Sequence, residues 1–252
     1  MIRSGPLPKA TPTTEISFPK DIVTGRPNSL LNEYNAASMA QRITWAINGQ
    51  DTRDFNQSLV GTPERSQDLL LSKGLPSDVG RLLDIRHQID GIYGMLTQSD
   101  VLILTLGMTL VWKDLKTGHY LNRMPDIRSI NKEPKRYIYM SMDLKTIVDL
   151  LATTIERTKG TAIRNILLTV SPVPLQGTFF PEDCVISNGS SKATLRCAAH
   201  EICQLFPNLV DYFPSYEIVL SNGLSSFKPD RVHVRTEVVK GVMDYMLSNY
   251  MK

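Results

Sequence analysis

The stretch "FKPDRVHVRTEVV" places a carboxylate, Asp230, three residues before an imidazole, His233, at the start of the last helical pattern. A carboxylate that orients an imidazole makes a general base able to take a proton from a hydroxyl or a water. The same spacing also occurs where an aspartate only caps a turn, so spacing alone leaves both readings open. Other residues fit a hydrolytic site. Gly107 in "TLGMTLVW" lets the chain turn off a strand and can offer a backbone N–H to an oxyanion, with the Thr109 hydroxyl beside it. A tight turn followed by core residues explains the same stretch. Ser171 closes "NILLTVSP", although Pro172 removes one donor next to it. Tyr212, Tyr216 and Glu217, in "DYFPSYE", combine aromatic faces with a carboxylate and suit sugar hydroxyls.

Two further patterns lead elsewhere. "CAAHEIC" sets Cys197, His200 and Cys203 three apart without a fourth ligand, so no metal site is expected. "GLPSDVGR" lacks the Gly-Lys-Ser/Thr ending of a phosphate loop. No cofactor is expected.

The elements that must position these residues follow from periodicity. Leu31, Tyr34, Ala37, Met39, Ile43 and Ile47 share one side of a helix. The stretch 50–80 is polar and reads as loop, with a helix from Ser77, as its cap, to about Ser99. "DVLILTLG" and "RNILLTV" are short continuous apolar runs, the pattern of strands buried on both faces, expected as inner strands over 101–106 and 165–170. "GHYLNRM" and "RYIYMS" read as a small excursion between them. An amphipathic helix ending at Gly160, a helix over "SSKATLRCAAHEICQLFP", a strand within "LVDYFPSYEIVL" and a helix from Arg235 to Tyr250 complete the order. Alternating helices and strands imply a parallel sheet covered on both faces. Ligands bind such sheets beyond the carboxyl ends of the strands, where Gly107, Ser171, Tyr212, Glu217 and the loop before Asp230 all fall.

The whole chain sets the bounds. At 252 residues it can bury a core as one large α/β domain, here assigned to 30–252, with Pro-, Thr- and Ser-rich residues 1–29 as an extended arm. A net charge of +3, with no basic run, argues against nucleic acid. The longest apolar run, Val101 to Trp112, is 12 residues and too short to span a bilayer, and the N-terminus carries no hydrophobic signal core. Three cysteines make no disulfide framework. These features together predict a cytoplasmic protein.

The motifs "LLTVSPVPL", "SSKATLR", "VDYFPSYEIVL" and "PDRVHV" stand in the order found in the GSCFA family, and "TLGMTLVW" and "YNAASMAQRITWAI" resemble its Thr-Leu-Gly turn and the helix after its opening block. The resemblance covers about residues 30 to 250. It implies a three-layer α/β/α sandwich related to the SGNH/GDSL hydrolases, with a mostly parallel sheet, and hydrolysis of an ester, such as an acyl group on a carbohydrate. It also implies Asp230 and His233 as catalytic residues and Gly107 as an oxyanion glycine; Thr109 stands where the related hydrolases carry an oxyanion asparagine. The Gly-Ser-Cys-Phe-Ala block that names the family, and carries the nucleophile, is absent from the sequence. Three explanations stay open. The first strand and its serine are lost or come from another polypeptide. Or the chain binds a carbohydrate or other ligand in a cleft of Ser171, Tyr212, Tyr216, Glu217 and His233 without hydrolysing it. Or another hydroxyl, Ser171 or Ser38, has been recruited. The expected partners are a small-molecule or glycan substrate and a partner chain or second copy, not nucleic acid or membrane.

Overall fold

The computed structural model describes residues 18–23, 28–48 and 55–250. In chain order its elements are α1 (Ala36–Asn48), β1 (Leu59–Thr62), β2 (Arg65–Asp68), α2 (Val79–Gly94), β3 (Val101–Leu106), β4 (Leu110–Asp114), β5 (Tyr120–Leu121), α3 (Ile127–Lys132), β6 (Tyr137–Ser141), α4 (Leu144–Thr158), β7 (Asn165–Val170), α5 (Cys184–Leu205), β8 (Val210–Tyr212), α6 (Ser215–Ser221) and α7 (Thr236–Tyr250). Short 3-10 turns punctuate them. Among the described residues no helix is long and apolar enough to cross a membrane.

The two apolar runs are adjacent parallel strands, Val101 opposite Asn165 through Leu106 opposite Val170, and β8 continues the sheet in the order β3-β7-β8. A strand sends alternate side chains to opposite faces. Ile166, Leu168 and Val170 join Leu104 and Leu106 in a core closed by Ile147, Leu151 and Ile155 of α4, Leu195, Ala199 and Ile202 of α5, and Ala37 and Ile43 of α1. Leu167 points the other way, against Phe213 and against Met246 and Tyr250 of α7. Helices therefore cover both faces, as in an α/β sandwich. The caps are local chemistry: Asp143 accepts from the Thr146 N–H at 2.7 Å to start α4, and Asp183 from the Val185 N–H at 2.8 Å to start α5.

Several expectations change. Residues 101–106 form an edge strand, not an inner one: Ile103 is 48% exposed, because β7 is the only strand paired with β3 among the described residues. An unbroken apolar run does not report on neighbours that lie far away in sequence. The polar stretch 50–80 contains the β1–β2 hairpin, held by its ladder rather than by apolar alternation. Asp78, not Ser77, caps α2, accepting from the Arg81 N–H at 2.9 Å. The run after Pro214 is helical, and α5 begins at Cys184, earlier than its apolar pattern. Within the stretch read as an arm, Phe18, Ile22 and Val23 are buried against Leu30, Leu71, Ile85 and Ile89; residues 1–17 and 24–27 lie outside the described residues.

The excursion between β3 and α4 is a second, antiparallel sheet in the order β5-β4-β6. It begins three residues past Gly107 and stands beside the carboxyl end of the parallel sheet. That position makes it a wall of the site.

Candidate functional site

Asp230 and His233 meet on the loop that feeds α7. Asp230 Oδ2 lies 2.8 Å from His233 Nδ1, while Oδ1 accepts the backbone N–H groups of Val232 and His233 at 2.9 and 3.0 Å. One carboxylate thus shapes the turn and holds the ring, so the capping and orienting readings of the spacing are both true. The turn needs that support: Arg231 sits at φ 56°, a left-handed conformation unfavourable for a residue with a Cβ. The loop is clamped at its neck by Lys228 N–H to His233 O (2.8 Å) and by the Arg235 guanidinium to Phe227 O (2.9 Å). The two backbone N–H donors and then the imidazole hold the Asp230 carboxyl down at about 2, so it stays ionised throughout the ordinary pH range. The bond at Nδ1 leaves Nε2 for chemistry. The ring is 60% exposed, and among the described residues no hydroxyl lies within hydrogen-bond distance of Nε2.

His233 lines a cleft of about 480 Å³ together with Gly107 and Ser171. Gly107 has a specific steric role. A Cβ there would lie 2.3 Å from the Tyr34 backbone oxygen, because residues 34–35 run alongside the end of β3 and Asn35 makes a parallel bridge to Met108. Asn122 fixes that approach by accepting the Tyr34 N–H at 3.1 Å, and Asn35, buried, caps α1 by accepting the Ser38 N–H at 2.8 Å.

The backbone N–H groups of Met108 and Thr109 at this turn are committed elsewhere. Met108 N–H donates to Tyr34 O at 3.0 Å, and Thr109 N–H donates to Ser191 Oγ at 2.9 Å. Thr109 is buried, its hydroxyl 3.1 Å from that of Ser141, and it does not line the cleft. Ser171 N–H donates to Leu106 O, and its hydroxyl accepts from Val173 N–H at 3.2 Å. Ser38 is buried, with its hydroxyl donating to Asn35 O.

Tyr212 and Glu217 come together, but in a different pocket, which they share with Arg196, Phe213 and Tyr250. The Tyr212 hydroxyl donates to Glu217 at 2.8 Å, Arg196 Nε donates to it at 2.7 Å, and the guanidinium lies 4.2 Å from the Tyr212 ring centroid. Tyr216, partly buried against the main core, lines neither pocket. The sequence-derived set therefore divides into Gly107, Ser171, Asp230 and His233 at one cleft and Tyr212 and Glu217 at another.

Two features escaped the sequence. The first is an aromatic wall. Trp112 on β4 and Tyr139 on β6 are directly opposed cross-strand residues with ring centroids 5.2 Å apart, and Phe179 meets them edge-on at 5.6 and 5.1 Å. Only the pairing of two distant strands brings these three together; the "RYIYMS" and "TFF" aromatics were the available signal. The second is Lys192 on α5, buried among the cleft's supporting residues, whose Nζ donates to Gly107 O at 2.7 Å. No carboxylate pairs with it among the described residues, and burial pulls its amine down to about 8. Among the described residues no cluster of His, Cys, Asp or Glu could hold a metal ion, and the three cysteines are free thiols.

Comparison with curated proteins and with solved structures returned no match. Comparison with protein-family models matches residues 15–246, nearly the whole chain and every element of the cleft, and on that match the chain belongs to the GSCFA family.

Proposed function

We propose that the His233 cleft binds an acyl ester, with a carbohydrate as the alcohol part, and that Asp230 and His233 are the acid–base pair for its hydrolysis. The observation that carries this reading is the 2.8 Å contact between Asp230 Oδ2 and His233 Nδ1 at a cleft, with Nε2 left open. Asp230 fixes the tautomer in which Nδ1 carries the proton and Nε2 is the base. In this chain the base acts on water, since no described hydroxyl reaches it. Nε2 takes a proton from the water as its oxygen attacks the ester carbonyl, then returns it to the departing alkoxide. The backbone N–H groups of Met108 and Thr109 are already bonded, so charge on the carbonyl oxygen is weakly stabilised and slow turnover is expected.

Those same committed donors favour a second reading, a cleft that binds its ligand without cleaving it. Turnover of a short-chain acyl ester by the purified chain separates the two. General acid–base catalysis typically contributes about 10²–10⁴-fold, so His233→Ala should abolish the measurable rate, and Asp230→Asn should lower it severely by allowing the wrong tautomer. His233 is exposed, so the alanine variant should unfold within about 0.5 kcal/mol of the parent. Equal background rates for parent and His233→Ala would leave binding as the function. Rapid hydrolysis blocked by a serine reagent would instead identify a nucleophilic serine and overturn the water mechanism.

A further inference from the structure

The cleft has an unusual lining for a sugar site. Its walls are Leu110, Val111, Trp112, Tyr139, Val173 and Phe179; among the described residues its ionisable side chains besides His233 and the tyrosines are Lys73 and Arg123, the Asp230 carboxylate beside it is engaged by His233, and of its amides Asn122 and Asn35 are spent on the Tyr34 and Ser38 N–H groups. Sugar hydroxyls are usually held by carboxylates and amides, and the carboxylate expected to serve them, Glu217, lies in the other pocket. A volume of about 480 Å³ falls within the range of small-molecule sites, about 300–1,000 Å³.

Phe179 is the informative residue. It is 60% exposed, yet its ring is set edge-on against both Trp112 and Tyr139. The segment that carries it, between β7 and α5, is fixed by a bond from Leu175 N–H to Asn188 Oδ1 at 3.0 Å. A large apolar ring held in place while facing water, in a wall of two further rings, is a preformed surface for an apolar ligand.

We infer that the Trp112–Tyr139–Phe179 wall is a subsite for an acyl chain of several carbons, carried on a neutral or anionic alcohol. Cationic esters are disfavoured by Lys73 and Arg123. This inference rests on the acyl-ester reading above for the identity of the ligand, but not on hydrolysis. It makes chain length, rather than the sugar, the main source of affinity.

The test is calorimetric binding to the full chain of two uncleaved amides, N-octanoylglucosamine and N-acetylglucosamine. Burying a methylene is worth roughly a threefold to fourfold gain in affinity, so burial of about four of the extra methylenes should make the longer chain bind about 100-fold more tightly. Phe179→Ala, at an exposed position that folding tolerates, should weaken octanoyl binding by about 10-fold more than it weakens acetyl binding. Equal affinities for the two amides, or an octanoyl affinity indifferent to Phe179→Ala, would overturn the subsite. The two readings fail separately. Octanoyl binding retained by a chain with no ester turnover keeps the subsite and removes the hydrolase. Ester turnover that is the same for acetyl and octanoyl esters, with equal amide affinities, keeps the hydrolase and removes the subsite.

Discussion

The parallel sheet and the corner built around α2 are held together by different forces. Between the sheet and α1, α4 and α5 the contacts are mainly apolar: Leu106, Ile147, Leu168, Val170, Leu195, Ala198 and Ile202 are all fully buried. The corner buries charge instead. Arg86 pairs with Asp68 with both side chains almost wholly excluded from water. Arg42 reaches Glu33 at 3.1 Å and Asp90 at 3.2 Å, and lies over the rings of Trp45 and Tyr93. Apolar contacts are non-directional and tolerate small shifts. A buried ion pair is unforgiving, because each charge has lost its water and depends on the few partners placed beside it. The corner is therefore positioned by geometry and the sheet by volume.

The largest expected effect comes from breaking the corner. Asp68 Oδ1 also accepts the Leu70 N–H at 2.8 Å, so Asp68→Ala removes both the carboxylate that pairs with the buried Arg86 guanidinium and the acceptor of a backbone donor. A loss of about 3–5 kcal/mol in chemical denaturation is expected. Replacing both partners, as in Asp68→Leu with Arg86→Met, should recover the part of that loss due to the buried charge but not the part due to the Leu70 N–H, since a fitting apolar pair is often no worse than a buried ion pair. No recovery would mean that the charges do more than neutralise each other.

Leu168→Ala should cost about 3 kcal/mol, by lost transfer energy and a cavity between β7 and the helices. Its effect should add to that of Asp68→Ala within about 0.5 kcal/mol if the two regions are independent. Strong coupling between the two substitutions would erase the contrast drawn above.

The smallest effect, and the one of opposite sign, concerns Lys192, a charge that the apolar side keeps without a paired carboxylate among the described residues. Its amine titrates near 8 in the folded chain against an ordinary 10.5. The folded state thus binds the proton less tightly than the unfolded one, and stability rises as pH climbs from about 8 to about 10.5. At neutral pH the buried charge costs on the order of 3 kcal/mol, offset on Lys192→Met by the loss of the bond to Gly107 O. The variant should be more stable than the parent by about 1 kcal/mol at pH 7, level with it at about pH 9, and less stable by about 2 kcal/mol at pH 10.5, where the parent's neutral amine keeps its bond to Gly107 O. A parent–variant difference that does not change with pH would show that the amine is not desolvated.

The sequence by itself determined the strands at 101–106 and 165–170, the helices around 36–48, 144–158 and 236–250, and the Asp230–His233 pair. Each is written locally. A run of apolar residues or a 3.6-residue period needs no distant partner to be visible, and an aspartate three residues before a histidine is already within reach of it. Tertiary structure decided what depends on distant partners. It made 101–106 an edge strand by pairing it, among the described residues, with β7 alone, sent Tyr212 and Glu217 to Arg196 rather than to His233, and used the backbone donors beside Gly107 to hold Tyr34 and Ser191. It also assembled Trp112, Tyr139 and Phe179 from two strands and a loop. Backbone hydrogen bonds and ring contacts are filled by whichever groups the folded chain brings near, and neither residue type nor spacing records which groups those will be.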